Sequence, residues 1–172
     1  MTKSSNPPAS AARAVEARLP RGTRIAAVVS GYHAELTGRM LDSARDVLVA
    51  AGLEKSALRV VSAPGSFELP LVAQALAARK EIDAVLCFGL VLRGETSHNE
   101  HIARAAADGI LRVSLETKKP VLFGVLTCDD LAQAQARAAR ASEGGLDKGA
   151  EVARAAIETL AALATARRRG RK

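Results

Sequence analysis

The run AVLCFGLVL at residues 84–92 holds no charged or hydroxyl side chain between Asp83 and Arg93. A strand with one wet face alternates apolar and polar residues. A run that is apolar at nearly every position fits a strand covered on both faces. It is also far too short to cross a membrane as a helix. Cover for it must come from elsewhere in the chain, and the flanking sequence supplies helices on either side.

RIAAVVS, at 24–30, is a β-branched apolar run ended by Gly31. Residues 35–51 then repeat Leu36, Met40, Leu41, Ala44, Val47 and Leu48 at helical spacing, and Gly52 stops them. LRVVSAPG (58–65) reads as a second strand and tight turn. ELPLVAQALAARK (68–80) reads as a second helix that tolerates Pro70 in its first turn. A third helix is predicted over 97–116, with Ile102, Ala105, Ala106, Ile110 and Val113 on one face. PVLFGVLT (120–127) is a fourth strand, 129–141 a fourth helix, and a last helix runs from 147 into the basic terminus. This alternation, joined by right-handed crossovers, predicts a three-layer α/β/α sandwich. The expected form is flavodoxin-like: a four-stranded parallel sheet with helices on both faces. Residues 23–165 are expected to form one domain, preceded by a flexible arm at 1–22 and followed by a basic tail at 166–172. Ligands of such folds bind beyond the carboxyl ends of the strands. The loops of interest are therefore SGYH (30–33), SAPGSFE (62–68), RGETSH (93–98) and TCDD (127–130).

A chain of 172 residues, 48% hydrophobic and 25% charged, is an ordinary soluble domain. The net charge of +7 would point to nucleic acid if it were spread over a surface. Arg167, Arg168, Arg169, Arg171 and Lys172 supply five of those seven charges, so the body is nearly neutral. A basic tip of this kind is a solvated terminus, and no nucleic-acid partner is expected. Cys87 and Cys128 lie in or just after apolar runs, which predicts buried, reduced thiols. The N-terminus lacks an apolar core of signal-peptide length, and no segment reaches membrane-spanning length. The expectation is a cytoplasmic protein without a membrane partner.

Four aromatic residues occur: Tyr32, Phe67, Phe88 and Phe123. Tyr32 and Phe67 fall just past strand ends, where a ring either covers the core edge or stacks on a flat ligand. RGETSHNEH (93–101) holds two of the three histidines. Ser97 followed by Glu100 fits a capping box. Gly94 permits a sharp turn, and the free amides of a helix start favour an anion such as phosphate. His98 and His101 raise the question of a metal, with Glu95 and Glu100 as the nearest further ligands. Their spacing matches no zinc signature and a positive helix end disfavours a cation, so no metal is expected. His98 beside a phosphate subsite suits proton transfer, or is a plain surface histidine at a helix end. His101 reads as structural, and His33 as facing either ligand or solvent. Arg137 and Lys148 are candidate anion-binding cations, with Arg140 an equal competitor to Arg137. Residue types and spacing alone name no substrate.

Taken together, PGSFELP (64–70), GLVLRGETSH (89–98), FGVLT (123–127) and DKGAEVARAAIETL (147–160) resemble the 6,7-dimethyl-8-ribityllumazine synthases. The likeness runs over residues 24–163, and PG-x-FE-x-P combined with RG-x-T-x-H is highly specific. It implies a flavodoxin-like enzyme of riboflavin formation. Such an enzyme joins 5-amino-6-(ribitylamino)uracil to 3,4-dihydroxy-2-butanone 4-phosphate and releases phosphate and water. It implies no metal and no redox cofactor. By this resemblance His98 transfers protons, Tyr32 stacks on the pyrimidine, and Ser66, Phe67 and Glu68 hold the ring and ribityl chain. Backbone groups of Leu90, Val91 and Leu92 bind the uracil edge and ribityl chain. Glu95 and Thr96 offer loop amides to the phosphate, Arg137 clamps it, and Phe123 and Lys148 complete the pocket. The resemblance further implies a pocket between neighbouring subunits of a homopentamer.

The chain departs from the family in reading His98-Asn99-Glu100-His101 where His-Phe-Asp-Tyr is usual, and Ser66 where alanine is usual. The carboxylate of Glu95 is compatible with a phosphate only if it points away. The link ARASEGGLDKG (139–149) looks longer than in members that build sixty-subunit shells. It favours an isolated pentamer or a pair of pentamers. Two other readings stay open: a module that binds lumazine or flavin without catalysis, and a shell or scaffold that recruits acidic cargo through the tail.

Overall fold

A computed structural model of the chain describes residues 18–168. Most of the expected arm (1–17) and the end of the basic tail (169–172) lie outside them. The elements are β1 (Ile25–Ser30), α1 (Ala34–Ala50), β2 (Leu58–Ala63), α2 (Leu69–Ala77) and β3 (Ala84–Leu92). They continue with α3 (His98–Thr117), β4 (Val121–Cys128), α4 (Leu131–Ala138) and α5 (Lys148–Arg168). Single 3-10 turns occupy Lys55–Ala57 and Ala141–Glu143. All strand pairs are parallel, in the order β2-β1-β3-β4, with Ile25 opposite both Leu58 and Ala84 and with Val85 opposite Val121.

The apolar run is β3, and it sorts its side chains by the two-residue period of a strand. Ala84, Leu86, Phe88 and Leu90 pack with Leu36, Met40 and Leu48 of α1, Ala134 of α4 and Ile157 of α5. Val85, Cys87 and Val91 pack on the other face with Leu69 and Leu76 of α2 and Ile110 and Val113 of α3. Two cores thus sandwich one sheet, as the three-layer expectation requires. Both cysteines are buried free thiols. Burial pushes Cys87 up to about 12, so its thiolate is not available near neutrality.

Several boundaries differ from the sequence expectation. Ser97 precedes α3 but makes no side-chain cap, so the expected capping box with Glu100 is absent. Thr96 Oγ1 instead accepts the His98 amide, over a long 3.4 Å. Asp130 caps α4 by accepting the Gln133 amide at 2.8 Å. That helix stops at Ala138 because Ala139 turns to extended backbone. The link to α5 is folded back on itself: the amides of Leu146 and Asp147 donate to the carbonyls of Ala136 and Ala139. Arg39 pairs with Glu143, and Arg140 with Asp46 at 2.7 Å, so the link is pinned to α1. The basic tail begins inside α5, where Arg167 donates to the Lys118 carbonyl at 2.9 Å.

Asp147 starts α5 with a left-handed φ of 49°. Its Oδ1 accepts the amide of Ala150 at 3.2 Å and the hydroxyl of Ser43, and its Oδ2 accepts the Ala141 amide. Burial raises this carboxyl, but the Ser43 hydroxyl, the two amides and Arg154 outweigh it and hold it below the ordinary 3.8. A depressed carboxyl contributes stability above its unfolded pKa and loses it as pH falls through the folded value. Asp147→Ala should therefore cost about 1–2 kcal/mol near neutrality, as lost caps do. In urea unfolding that difference from wild type should shrink only below about pH 4.

Candidate active site

The direction of chain travel reverses between β1 and β3: from β1 the chain goes outward to β2, then returns to β3 on the other side. Loops leaving the carboxyl ends of β1 and β3 therefore diverge and leave a crevice. A cavity of about 800 Å³ opens there. Its walls come from the loop after β1 (Tyr32, His33), the loop before α2 (Gly65 to Glu68), the end of β3 (Leu90 to Leu92), and the turn and face of α3.

The loop before α2 is fixed from beneath. Ser66 is buried and its hydroxyl donates to the Leu90 carbonyl at 3.3 Å. Gly89 makes this approach possible, since a Cβ there would lie 2.5 Å from Ser66 Oγ. With Ser66 tied down, Phe67 is left 60% exposed and Tyr32 69% exposed, both on the cavity rim. Phe88 shows the alternative fate of an aromatic residue, fully buried in the core. Burying a ring is strongly favourable, and two rings left at one cavity mouth offer flat faces of the kind an aromatic ligand can stack on.

Gly94, Thr96 and His98 line the same cavity where α3 begins. The first turn of a helix presents amides without intrahelical partners, a natural anion seat. Glu95, between Gly94 and Thr96, is not among the residues that line the cavity. Glu68 supplies the acceptor on the facing wall.

Sequence reasoning placed Tyr32, Ser66, Phe67, Glu68, Leu90, Val91, Leu92, Thr96 and His98 at the site, and the structure brings all nine to this one cavity. It does not bring Phe123, Arg137 or Lys148 there. Phe123 is 45% exposed on β4, at the open edge of the sheet. Arg137 lies on α4 and donates to the Gln133 carbonyl at 3.1 Å. Its charge lowers the Cys128 thiol, which burial raises more. Lys148 opens α5 and pairs with Glu151 at 2.6 Å. Arg140, the competitor of Arg137, is engaged with Asp46, which raises its own pKa further.

His101, read as structural, lines the cavity, and His33, left between ligand and solvent, lines it too. Asn99, Ile102 and Ala105 were missed as lining residues. Ile102 and Ala105 were assigned to the apolar face of α3, and that face is shared between the core and the cavity wall. A second cavity, about 400 Å³, lies at the amino ends of the strands, with Lys118, Lys119 and Arg167 at its edge. It is the carbonyl end of α3, where cations offset the helix dipole, and it holds no aromatic side chain.

A sequence profile of the 6,7-dimethyl-8-ribityllumazine synthases matches residues 22–164. The chain belongs to that family. It is 41% identical over 140 residues to a 6,7-dimethyl-8-ribityllumazine synthase of Thermus thermophilus, covering 81% of this chain and 87% of that one. It is 42% identical over 137 residues to the synthase of Desulfotalea psychrophila, covering 80% and 86%. The family resemblance first seen in the motifs around His98 and Glu68 therefore extends across the folded domain.

Proposed function

We propose that this chain catalyses the condensation of 5-amino-6-(D-ribitylamino)uracil with 3,4-dihydroxy-2-butanone 4-phosphate. The products are 6,7-dimethyl-8-ribityllumazine, phosphate and water, which makes it a transferase of riboflavin biosynthesis. The observation that carries this reading is the convergence of Tyr32, Phe67, Glu68, Thr96 and His98 on one cavity in a chain of this family. Tyr32 stacks on the pyrimidine, while Phe67 and Glu68 hold the ribityl chain. Backbone groups of Leu90, Val91 and Leu92 read the uracil edge. The amides at Glu95 and Thr96 seat the phosphate, and His98 moves protons between the reacting groups. The reaction is redox-neutral and calls for no cofactor.

The cavity is half of the site in this reading. Phe123, Arg137 and Lys148 come from β4, α4 and α5 and reach the substrates across a contact with a neighbouring copy. Surface features favour such a contact. β4 is an edge strand whose outer side has no strand partner among the described residues, and Leu71, Leu111 and Leu115 are exposed on α2 and α3. The particle is a homopentamer rather than a sixty-subunit shell, consistent with the folded link at 139–147. Light scattering should give a particle near five chain masses, or ten for a pair of pentamers, and a megadalton particle would contradict this. No helix among the described residues is long and apolar enough to cross a membrane, and the expected compartment is the cytoplasm.

Incubating the purified protein with both substrates and following lumazine fluorescence tests the activity. Formation well above the uncatalysed rate is expected. His98→Ala should lower kcat about 100-fold, with substrate positioning preserving the remainder. The Asn99, Glu100 and His101 departures motivate one other reading, a module that binds lumazine without catalysis. A rate no faster than background, with tight binding of the lumazine, would favour that module.

A further inference from the structure

All three histidines of this chain, His33, His98 and His101, line the same cavity. Two of them lie on one helix. Five residues of α3 line the cavity, His98, Asn99, His101, Ile102 and Ala105, and all but Asn99 fall at i, i+3, i+4 and i+7 along one stripe. Neighbours at that spacing have Cβ atoms about 5–6 Å apart. The rest of the stripe beyond His98 is apolar, so packing alone gives no reason for an imidazole at 101. The His101 side chain is exposed. Among the described residues no group of three or more His, Cys, Asp or Glu is arranged to hold a metal ion.

We propose that His101 is a second proton-carrying catalytic residue of this site, touching the bound substrates one helical turn from His98. This rests on the synthase reading of the cavity. The reaction needs protons moved at separate points of an extended intermediate. The first amine adds to the ketone, and the oxygen it displaces takes up a proton and leaves as water. A base then lifts the proton from the carbon beside the imine. That electron pair drives cleavage of the C–O bond to phosphate, and the bonding pair departs on the phosphate oxygen. The enol left behind takes up a proton at its terminal carbon and loses one from its hydroxyl, giving a methyl ketone. The second amine adds to that ketone and sheds its proton, and the displaced oxygen takes up a proton and leaves as water. Nothing is oxidised or reduced. Two imidazoles a turn apart serve two positions that one imidazole reaches only by moving. The family's usual residue at this place is tyrosine, whose phenol ordinarily titrates near pH 10 and is a poor proton carrier near neutrality. Tyr32, His33, Glu68 and His98 line the same cavity as His101. Glu100 and Arg104 flank it on α3, and α2 contributes no charged side chain.

The test is initial-rate kinetics across the neutral pH range for wild type, His101→Gln, His98→Ala and the double variant. His101→Tyr is added as a control that restores the family residue. His101→Gln should lower kcat about tenfold, leave both KM values within about twofold, and change the shape of the pH profile. His101→Tyr should behave similarly, and the double variant should fall about tenfold below His98→Ala. The inference is overturned if His101→Gln keeps the wild-type kcat and pH profile, or if the double variant equals His98→Ala. Wild type that turns over no faster than background would instead overturn the synthase reading itself, and this inference with it.

Discussion

Arg137→Ala is expected to raise the KM for the phosphorylated butanone about 100-fold, the loss of about 3 kcal/mol from a charge-assisted guanidinium–phosphate pair. The KM for the ribitylaminouracil should stay within about twofold, because a phosphate clamp does not touch that substrate. Arg137→Lys should recover only part of the loss, since an ammonium keeps the charge but not the planar fork. Arg140→Ala is the matched control. Its guanidinium is held by Asp46, so it should affect the link to α1 and leave both KM values near wild type. Initial rates with each substrate varied in turn decide the matter. Equal effects from Arg137 and Arg140 would remove Arg137 from the site.

The second large effect concerns the joint between α1 and α5, which carries Lys148. A Cβ at Gly149 would lie 2.2 Å from the Met40 carbonyl oxygen and 2.8 Å from the Met40 carbonyl carbon and Cα. Those are backbone atoms of a buried helix and cannot swing aside. Gly149→Ala must push α5 off α1, and the expected cost is about 3 kcal/mol or more. In a chain of this size that lowers Tm by about 10 °C. Gly38 provides the opposite case within α1. It has open space within 4 Å, and its φ is not in the left-handed region. Gly38→Ala should stabilise the protein by about 0.5–1 kcal/mol, by helix propensity and reduced unfolded-state entropy. Thermal unfolding of the two alanine variants should thus shift in opposite directions. A shift in the same direction would contradict this account of the joint.

These contrasts show what a linear sequence carries. The apolar run of β3 announced a strand covered twice, and its side chains alternate between two cores as that coverage demands. The cavity loops were legible because a reversal of strand order forces a crevice, and Gly94 and the exposed rings mark its mouth. The role of Ser97 was not legible. A serine three residues before a glutamate looks like a capping box, yet Thr96 holds the turn. His101 was misread for a related reason: periodicity tells which residues share a helix face, but not whether core or crevice lies opposite. The separation of Phe123, Arg137 and Lys148 from the cavity needed coordinates. Residue spacing did not show which of these lie apart within one chain, although the family resemblance had implied a pocket between neighbouring subunits.

That last point is also the most direct test of the central claim, that one catalytic site is built from two copies of the chain. A pocket variant carrying His98→Ala and Glu68→Ala, and a clamp variant carrying Arg137→Ala, are each nearly inactive when assayed with the phosphorylated butanone at its wild-type KM. Co-expressing them in equal amounts produces mixed rings, in which some junctions pair an intact pocket with an intact clamp. About a quarter of junctions should do so by chance, and the mixture should recover about that share of wild-type activity. Activity no higher than the average of the two parent variants would mean that pocket and clamp never meet across copies, and the composite site would be wrong.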